Sequence, residues 1–186
     1  MPIQVGLSYL LGILLTFLVW TLCLYVMHRL SHIPHKYNPL WQLHRAHHRI
    51  PYLSTPSGSV WPQFGQFFLW LGNWRASLDV FVSMTLPAIA LAIAVPKYGV
   101  PVLVLHYFYE IFLSEYALDH NPRIQGAVTR YWACGDYHLH HHAHPARNFG
   151  LMLTLWDRVF GSAFDPQPGA ALARQQKLIT ARALTQ

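Results

Sequence analysis

Long apolar runs alternate along this chain with short segments rich in histidine and arginine. The first run, 2–27, contains 26 residues without a charged side chain, and a helix needs about 20 residues to cross a hydrocarbon core. Two further apolar runs, 78–95 and 99–118, lie on either side of a short turn at 96–98. They predict a membrane hairpin whose first helix is kinked at Pro87.

The segment between the first and second apolar runs has a different character. Residues 60–74 read VWPQFGQFFLWLGNW, and this density of aromatic side chains suits an interfacial or re-entrant helix better than a full span. Residues 119–164 predict a histidine-rich helical cap, and 165–186 a C-terminal tail. We therefore expect one membrane-embedded, all-α domain over 1–186, with about three spans, an interfacial helical segment and a cytoplasmic cap.

The composition agrees with a membrane location. The chain is 53% hydrophobic and only 11% charged, whereas soluble domains carry about 25% charged residues. A cleaved signal peptide is the competing interpretation of 2–27, but this run has neither a basic n-region nor a small-residue cleavage site. We expect a retained transmembrane helix. The two cysteines, Cys23 and Cys134, are too few and too far apart for a thiolate cage and are expected to serve packing.

Histidine recurs in three closely spaced clusters, which read HRLSH, HRAHH and HLHHH. The main histidines of each cluster are three or four residues apart, so a helix would place them on one face. Neutral imidazole is the commonest side-chain metal ligand and suits iron, copper, zinc and nickel. Eight imidazoles are too many for one tetrahedral ion, so the count indicates two metal ions. The predicted ligands are His28, His32, His44, His47, His48, His138, His141 and His142.

Residues that typically begin or end helices flank these clusters. Asn38 followed by Pro39 predicts the N-cap and first turn of the helix that carries the second cluster. Asp136 is expected to cap the helix of the third cluster. The first apolar helix is expected to continue through His32 and to end at Pro34.

The histidines outside the eight predicted ligands include one further ligand candidate; the others are expected to have different roles. His120 follows the last apolar run and is a candidate ninth ligand. His106 and Glu110 form an i, i+4 pair inside the run 99–118, where we expect an internal hydrogen bond; support of a ligand histidine by Glu110 is the alternative. Surface or supporting positions are expected for His35, His140 and His144.

Charge predicts the orientation in the membrane. The three clusters can meet only on one side, so the chain must cross an even number of times between His48 and His138. Only Lys97 marks the opposite side, and the positive-inside rule therefore places the clusters and the C-terminus in the cytoplasm and the N-terminus outside. Anionic lipid headgroups account for the net charge of +6 without a nucleic-acid partner. The basic residues on the histidine side are Arg29, Lys36, Arg45, Arg49, Arg123, Arg130, Arg147, Arg158, Arg174, Lys177 and Arg182.

The order of the motifs resembles a known family. H-x-x-x-H is followed by two H-x-x-H-H motifs, an isolated histidine lies after the last span, and Asn148-Phe149-Gly150 precedes the sequence WDRVFG at 156–161. Over residues 20–162 this combination resembles the fatty acid hydroxylase and sterol desaturase superfamily.

The resemblance implies a membrane non-haem di-iron oxygenase that uses O2 and two electrons to hydroxylate or desaturate a lipid-like substrate: a fatty acyl chain, a sphingolipid or a sterol. A carotenoid is less favoured because the first motif is H-x-x-x-H. The eight cluster histidines and His120 are carried over as iron ligands. No cytochrome b5-like or reductase segment is recognisable in the sequence, so the electrons are expected from a separate ferredoxin, cytochrome b5-like protein or reductase.

Alternatives of other classes remain open. A zinc-dependent membrane hydrolase would be expected to carry a glutamate beside its histidines, as in H-E-x-x-H, and no cluster contains one. A metal carrier or sensor would place histidines or acids along the spans, whereas here they lie outside the spans, apart from His106, Glu110 and Glu115. Within the oxygenase interpretation, hydroxylation is favoured over desaturation, although both begin with the same removal of hydrogen.

Overall fold

The computed structural model describes residues 2–49, 61–69, 71–114, 117–167 and 169–183. These residues are all-helical: they include no strand, only an isolated antiparallel bridge between Trp132 and Leu153. The helices are α1 (Pro2–Ser31), α2 (Pro39–His47), α3 (Trp61–Gln63), α4 (Trp74–Val80), α5 (Leu86–Ala94), α6 (Pro96–Phe108), α7 (Asp136–Ala143), α8 (Leu155–Val159) and α9 (Ala170–Ala183).

Two helical stretches in the described part of the chain are long and apolar enough to cross a membrane, Gln4–Ser31 and Trp74–Ala94. The leucines in the first half of α1 are exposed, and no polar face separates them; Leu7 and Leu10, for example, are more than 60% exposed, whereas Leu24 near the other end is buried in the core. A helix that is apolar all round and exposed suits contact with lipid. The third predicted span corresponds to α6 and the turn after it, and its crossing of the membrane stays a prediction, as does the single domain over 1–186.

The helices α5 and α6 form the predicted hairpin. Its turn is shorter than expected, because Val95 alone separates the helices and Pro96 already begins α6; the turn predicted at 96–98 was wrong. Proline suits this position since the first helical residue needs no N–H. A Cβ atom on Gly99 would overlap the carbonyl of Leu91, so glycine is required where the two helices approach each other.

Three π-helical turns interrupt the regular helices at Phe64–Phe68, Phe81–Thr85 and Tyr109–Leu113. The second lies at the predicted kink. Pro87 has no N–H to donate four residues back, and the preceding turn widens so that Leu86 N donates to Phe81 O. π-Helical turns are rare and are frequent at functional sites.

Packing of α1 against the hairpin forms the core. The indole Nε1 of Trp20 donates to the carbonyl oxygen of Met84 at 3.0 Å. This core fixes the end of α1 that leads to His28. The buried cluster comprises Trp20, Leu24, Met84, Ala88, Val102, Tyr109 and Met152.

The helix starts confirm one expectation and correct another. Asn38 is the N-cap of α2, and its side chain accepts from Leu40 N at 3.1 Å. The cap of α7 is Gly135, with φ +56°, and not Asp136. The Asp136 carboxylate instead accepts from Ala171 N at 3.1 Å and so holds the start of α9.

Candidate metal centre

All nine histidines predicted as ligands meet in two groups. Within each group the candidate ligand atoms lie within 4.8 Å of one another. The first, called the five-histidine group, contains His28, His32, His44, His48 and His141. The second, called the four-histidine group, contains His47, His120, His138 and His142. The convergence that the sequence predicted is confirmed, whereas the role of these residues as metal ligands stays a prediction.

The division between the groups follows helix geometry. The sequence predicted that all main histidines of a cluster share one helix face, but the structure divides the second and third clusters between the two groups. Histidines four residues apart stay together, as His44 and His48 do, because i and i+4 lie nearly above each other on a helix. The intervening His47 points to the other group. Helix α7 repeats this division: His138 and His142 join one group and His141 the other.

Helix ends and loops supply the remaining members. His28 lies in the last turn of α1, and His32 follows one residue after α1 ends at Ser31, not within the helix as expected. His120 comes from the loop between α6 and α7 and is buried. Its Nε2 lies 3.1 Å from Nε2 of His142. The isolated histidine of the sequence therefore belongs to the four-histidine group.

The Nε2 atoms within each group point at one another. In the five-histidine group, His44 Nε2 lies 3.0 Å from both His28 Nε2 and His48 Nε2. In the four-histidine group, His142 Nε2 lies 3.1 Å from Nε2 of His47 and of His138. These short separations bring several ring nitrogens together at the centre of each group.

In the five-histidine group, the opposite ring nitrogens make hydrogen bonds that fix the tautomer. His28 Nδ1 donates to Phe149 O and His141 Nδ1 to Arg147 O, both at 2.6 Å, and His44 Nδ1 donates to Asp79 Oδ2 at 2.8 Å. A neutral imidazole that donates from Nδ1 keeps a lone pair on Nε2. Lone pairs that face one another at about 3 Å repel unless a cation lies between them.

The donor set and its spacing fit metal ions. Two neighbouring ligands at right angles around a metal, each bound at about 2.1 Å, lie about 3.0 Å apart. That value is close to the observed Nε2 separations. In addition, His141 Nε2 is buried without a hydrogen-bond partner among the described residues, as expected for an atom that binds a metal.

The environment also keeps the histidines neutral. Burial, followed by the effect of neighbouring imidazoles, lowers the pKa of His44 and of His138 well below the usual value. Burial and His48 lower the pKa of His47 to about 3. Only the neutral imidazole can bind a metal, so these rings are in the binding form at neutral pH.

Asp157 positions one of the supporting carbonyl groups. It is fully buried, and its carboxylate accepts from the backbone N–H groups of Phe149 and Gly150, both at 2.7 Å. It also accepts from Ser162 Oγ at 2.7 Å and from Tyr137 OH at 3.0 Å. These bonds hold the loop whose Phe149 carbonyl accepts from His28, which gives a physical role to the motifs Asn148-Phe149-Gly150 and WDRVFG.

A cavity of about 280 Å³ borders both groups. His28 and His44 line it from the five-histidine group, and His47, His120 and His138 line it from the four-histidine group. All three π-helical turns contribute to its wall, through Phe67, Met84 and Glu110 among others. Apolar atoms make up most of the exposed wall, which suits an apolar ligand, although polar side chains such as Gln63 and Glu110 also line it.

The remaining predicted positions lie outside both groups. His35 and His144 are exposed, and His140 stacks on Phe164 with ring centroids 4.4 Å apart. His106 bonds to Thr85 Oγ1 at 2.8 Å, while its Nδ1 lies 4.0 Å from Glu110 Oε1. That distance is too long for a hydrogen bond, and the expected internal hydrogen bonds are made with other residues: His106 bonds to Thr85, and Glu110 Oε2 accepts from Ser114 Oγ at 3.2 Å.

Asp79 is a candidate supporting residue that the sequence pattern did not reveal, since its carboxylate bonds to His44 Nδ1. It lies within the apolar run 78–95, where an ionisable residue usually has a function. Cys134, by contrast, is buried as predicted, and burial raises the pKa of its thiol to about 12. It is therefore an inert packing residue.

Comparison with known proteins assigns the chain to a sequence family. The family model described as fatty acid hydroxylase matches residues 13–162. A Delta(7)-sterol 5(6)-desaturase, erg3B of Aspergillus fumigatus, is 34% identical over 139 residues, which are 75% of this chain and 35% of that protein. The dihydroceramide fatty acyl 2-hydroxylase FAH2 of Arabidopsis thaliana is 29% identical over 167 residues, 86% of this chain and 61% of that protein. The matches thus span about a third and about three fifths of these relatives. No solved structure matches.

Proposed function

Since the chain belongs to the fatty acid hydroxylase family, we propose that it is a membrane di-iron oxygenase that hydroxylates an unactivated C–H bond of a lipid. The family and the two apolar helices together indicate a membrane protein and an oxidoreductase. Iron, its stoichiometry and the use of O2 are parts of the proposal.

One observation carries the proposal: two separate groups of neutral histidines border the same apolar cavity. The five-histidine group would hold one iron ion and the four-histidine group the other. A hydrolase that activates water at a single metal would not need two such groups at one cavity. Two irons held by these histidines would supply, together with O2 and two electrons, the oxidising power to remove hydrogen from an alkyl group.

The chain's own residues prepare the site for that chemistry. Asp79 and the carbonyl groups of Phe149 and Arg147 hold three imidazoles with Nε2 facing inward. Along the cavity, Phe67 and Val80 offer apolar contact to an alkyl chain and exclude water from it. The shape of the cavity would then select which carbon of the bound lipid faces the histidine groups.

Desaturation of the same kind of substrate is the second candidate. One relative is named as a sterol desaturase and the other as a hydroxylase of dihydroceramide fatty acyl groups. Both reactions begin by removing hydrogen from a C–H bond. We favour hydroxylation, with a fatty acyl, sphingolipid or sterol substrate.

The proposed arrangement in the membrane has three spans. The helices α1, α4–α5 and α6 would cross it, and α3 would lie at the interface. Both histidine groups and the C-terminus would face the cytoplasm, where the basic loops lie. A separate ferredoxin, cytochrome b5-like protein or reductase would deliver the electrons.

The testing experiment is metal analysis of protein purified without a histidine tag from iron-replete cells. We expect about two irons per chain that are oxidised when the anaerobically reduced protein meets O2. With ¹⁸O2, a chemical reductant and membrane lipid, labelled hydroxyl should appear in the lipid by mass spectrometry. An unsaturated lipid without label would instead identify the desaturase. Zinc alone, with no lipid product, would contradict both.

Helix α7 offers a matched control. His141→Ala removes a member of the five-histidine group, whereas His140→Ala removes a neighbouring histidine that stacks on Phe164 outside both groups. We expect the first variant to lose turnover and to bind iron more weakly, and the second to retain both turnover and iron affinity. Equal loss in the two variants would contradict the ligand assignment.

A further inference from the structure

A second cavity reaches the two histidine groups and shares no lining residue with the first. It has a volume of about 830 Å³ and is the more open of the two. His32 and His48 of the five-histidine group line it, together with His142 of the four-histidine group. A partner seated there would therefore contact ligand candidates of both metal sites. It would not enter the first cavity, called the lipid cavity because it is proposed to hold the substrate.

Aromatic side chains connect this cavity to the interior of the five-histidine group. The Phe149 ring is part of the cavity wall, and its centroid lies 5.5 Å from that of His32 and 5.8 Å from that of His141. The guanidinium carbon of Arg29 lies 5.7 Å from the same ring centroid. The Phe149 ring thus connects the wall of this cavity to the buried imidazole of His141.

The wall of this cavity is mostly apolar, with Val26, Leu30 and Trp41 among its residues, so the charge beside it is what favours one kind of partner. Arg29 and Arg45 are its only lining residues with permanent charge, and both are positive. Among the acidic side chains that the structure describes, only Asp165 is exposed, and it pairs with Arg158 at 2.8 Å. Among the residues that the structure describes, no exposed acid other than Asp165 is therefore available to neutralise Arg45.

We propose that the second cavity, called the basic cavity, is the docking site of a small acidic one-electron carrier protein. This inference rests on the proposed function, since hydroxylation requires electrons: R–H, O2, two electrons and two protons give R–OH and water. Each reduced carrier gives one electron and leaves oxidised, so two encounters complete one turnover. Lipid and carrier reach the metal centre through different cavities and need not exclude each other. Positive charge around the cavity raises the rate of encounter with an acidic partner.

The test measures binding, independently of turnover. The full chain, loaded with iron in nanodiscs of neutral phosphatidylcholine, is titrated with two acidic probes: a plant-type [2Fe–2S] ferredoxin and a soluble cytochrome b5 domain. Arg45 is the residue to change because its side chain is exposed at the cavity. We expect Arg45→Glu to raise the Kd of the preferred probe about tenfold at low salt, and added salt to reduce this difference.

Two matched variants control for charge. Arg45→Lys keeps the positive charge and should bind within about twofold of the unchanged chain. Lys177→Glu makes the same change in net charge on α9, at an exposed residue outside the cavity lining, and should also bind normally. Equal weakening by Arg45→Glu and Lys177→Glu would overturn the assignment of the site, as would failure of both probes to bind the unchanged chain.

Chemical reductant separates the two proposals. With dithionite, Arg45→Glu should form product at the unchanged rate, since the lipid cavity is intact. If dithionite supports turnover but Arg45→Glu binds the carrier as tightly as the unchanged chain, only the docking inference fails. If no lipid is oxidised with dithionite, the proposed function fails. Loss of co-purified anionic phospholipid from Arg45→Glu, with carrier binding unchanged, would assign the cavity to a lipid headgroup and overturn the inference.

Discussion

Asp79 accepts a hydrogen bond from Nδ1 of His44 at 2.8 Å, and both side chains are buried. The carboxylate comes from α4, in a stretch otherwise apolar enough to cross a membrane. A carboxylate behind a ligand histidine fixes the ring orientation and makes Nε2 a stronger ligand. The pair thus links the apolar stretch Trp74–Ala94, which is long enough to cross a membrane, directly to the five-histidine group.

Removing this carboxylate should weaken metal binding. For Asp79→Ala we expect iron affinity to fall about 10- to 100-fold, the usual range for loss of such a supporting group. Asp79→Asn retains an oxygen that accepts from His44, so its iron affinity should fall less. Titration of the metal-free variants with ferrous iron measures both affinities; unchanged affinity in Asp79→Ala would contradict the supporting role.

The sequence predicted the local parts of this site better than its tertiary parts. Spacing alone predicted that the clusters meet, and Asn38-Pro39 correctly placed the start of α2, because such signals act within one helical turn. The assignment of His47 and His48 to different groups depends on what faces each side of α2. Asp79 becomes recognisable only when α4 packs beside α2 and brings its carboxylate to His44.

Adjacent histidines should have different effects on iron content. His47→Ala leaves three histidines in its group, and His48→Ala leaves four in the other. Since fewer ligands hold a metal less tightly, we expect His47→Ala to retain about one iron per chain and His48→Ala to retain nearly two with weaker affinity. Iron analysis after dialysis measures the difference. The same iron content in both variants would argue against two separate groups.

Loss of Asp157 should destabilise the fold as well as the site. Asp157→Ala removes the acceptor of four hydrogen bonds and leaves two backbone N–H groups and two hydroxyls to find other partners. Each buried donor left unsatisfied costs about 1–3 kcal/mol, so the free energy of unfolding should fall by about 3 kcal/mol or more. Thermal unfolding in detergent, followed by tryptophan fluorescence, measures the change.

The control for that prediction is Asp165→Ala. Asp165 is exposed and pairs with Arg158 on the surface. Exposed pairs contribute about 1 kcal/mol or less, so the unfolding temperature should hardly change. A loss as large as that of Asp157→Ala would show that the carboxylate's burial and its four bonds are not what matters at position 157.

Filling the lipid cavity should impair turnover without affecting iron. Val80 lies in its wall, and Val80→Phe would occupy space that the substrate needs, whereas Val80→Ala would enlarge it. We expect kcat/KM for the lipid to fall about tenfold or more in Val80→Phe, because a few added carbon atoms in a fitted pocket discriminate on this scale. Val80→Ala should shift preference towards a bulkier lipid.

The matched control is Val100→Phe, which adds the same group to α6 at a side chain that is 47% exposed. Steady-state kinetics with iron content measured on the same samples tests the prediction. A fall in kcat/KM that follows iron loss, or an equal fall in Val100→Phe, would mean that the cavity does not hold the substrate.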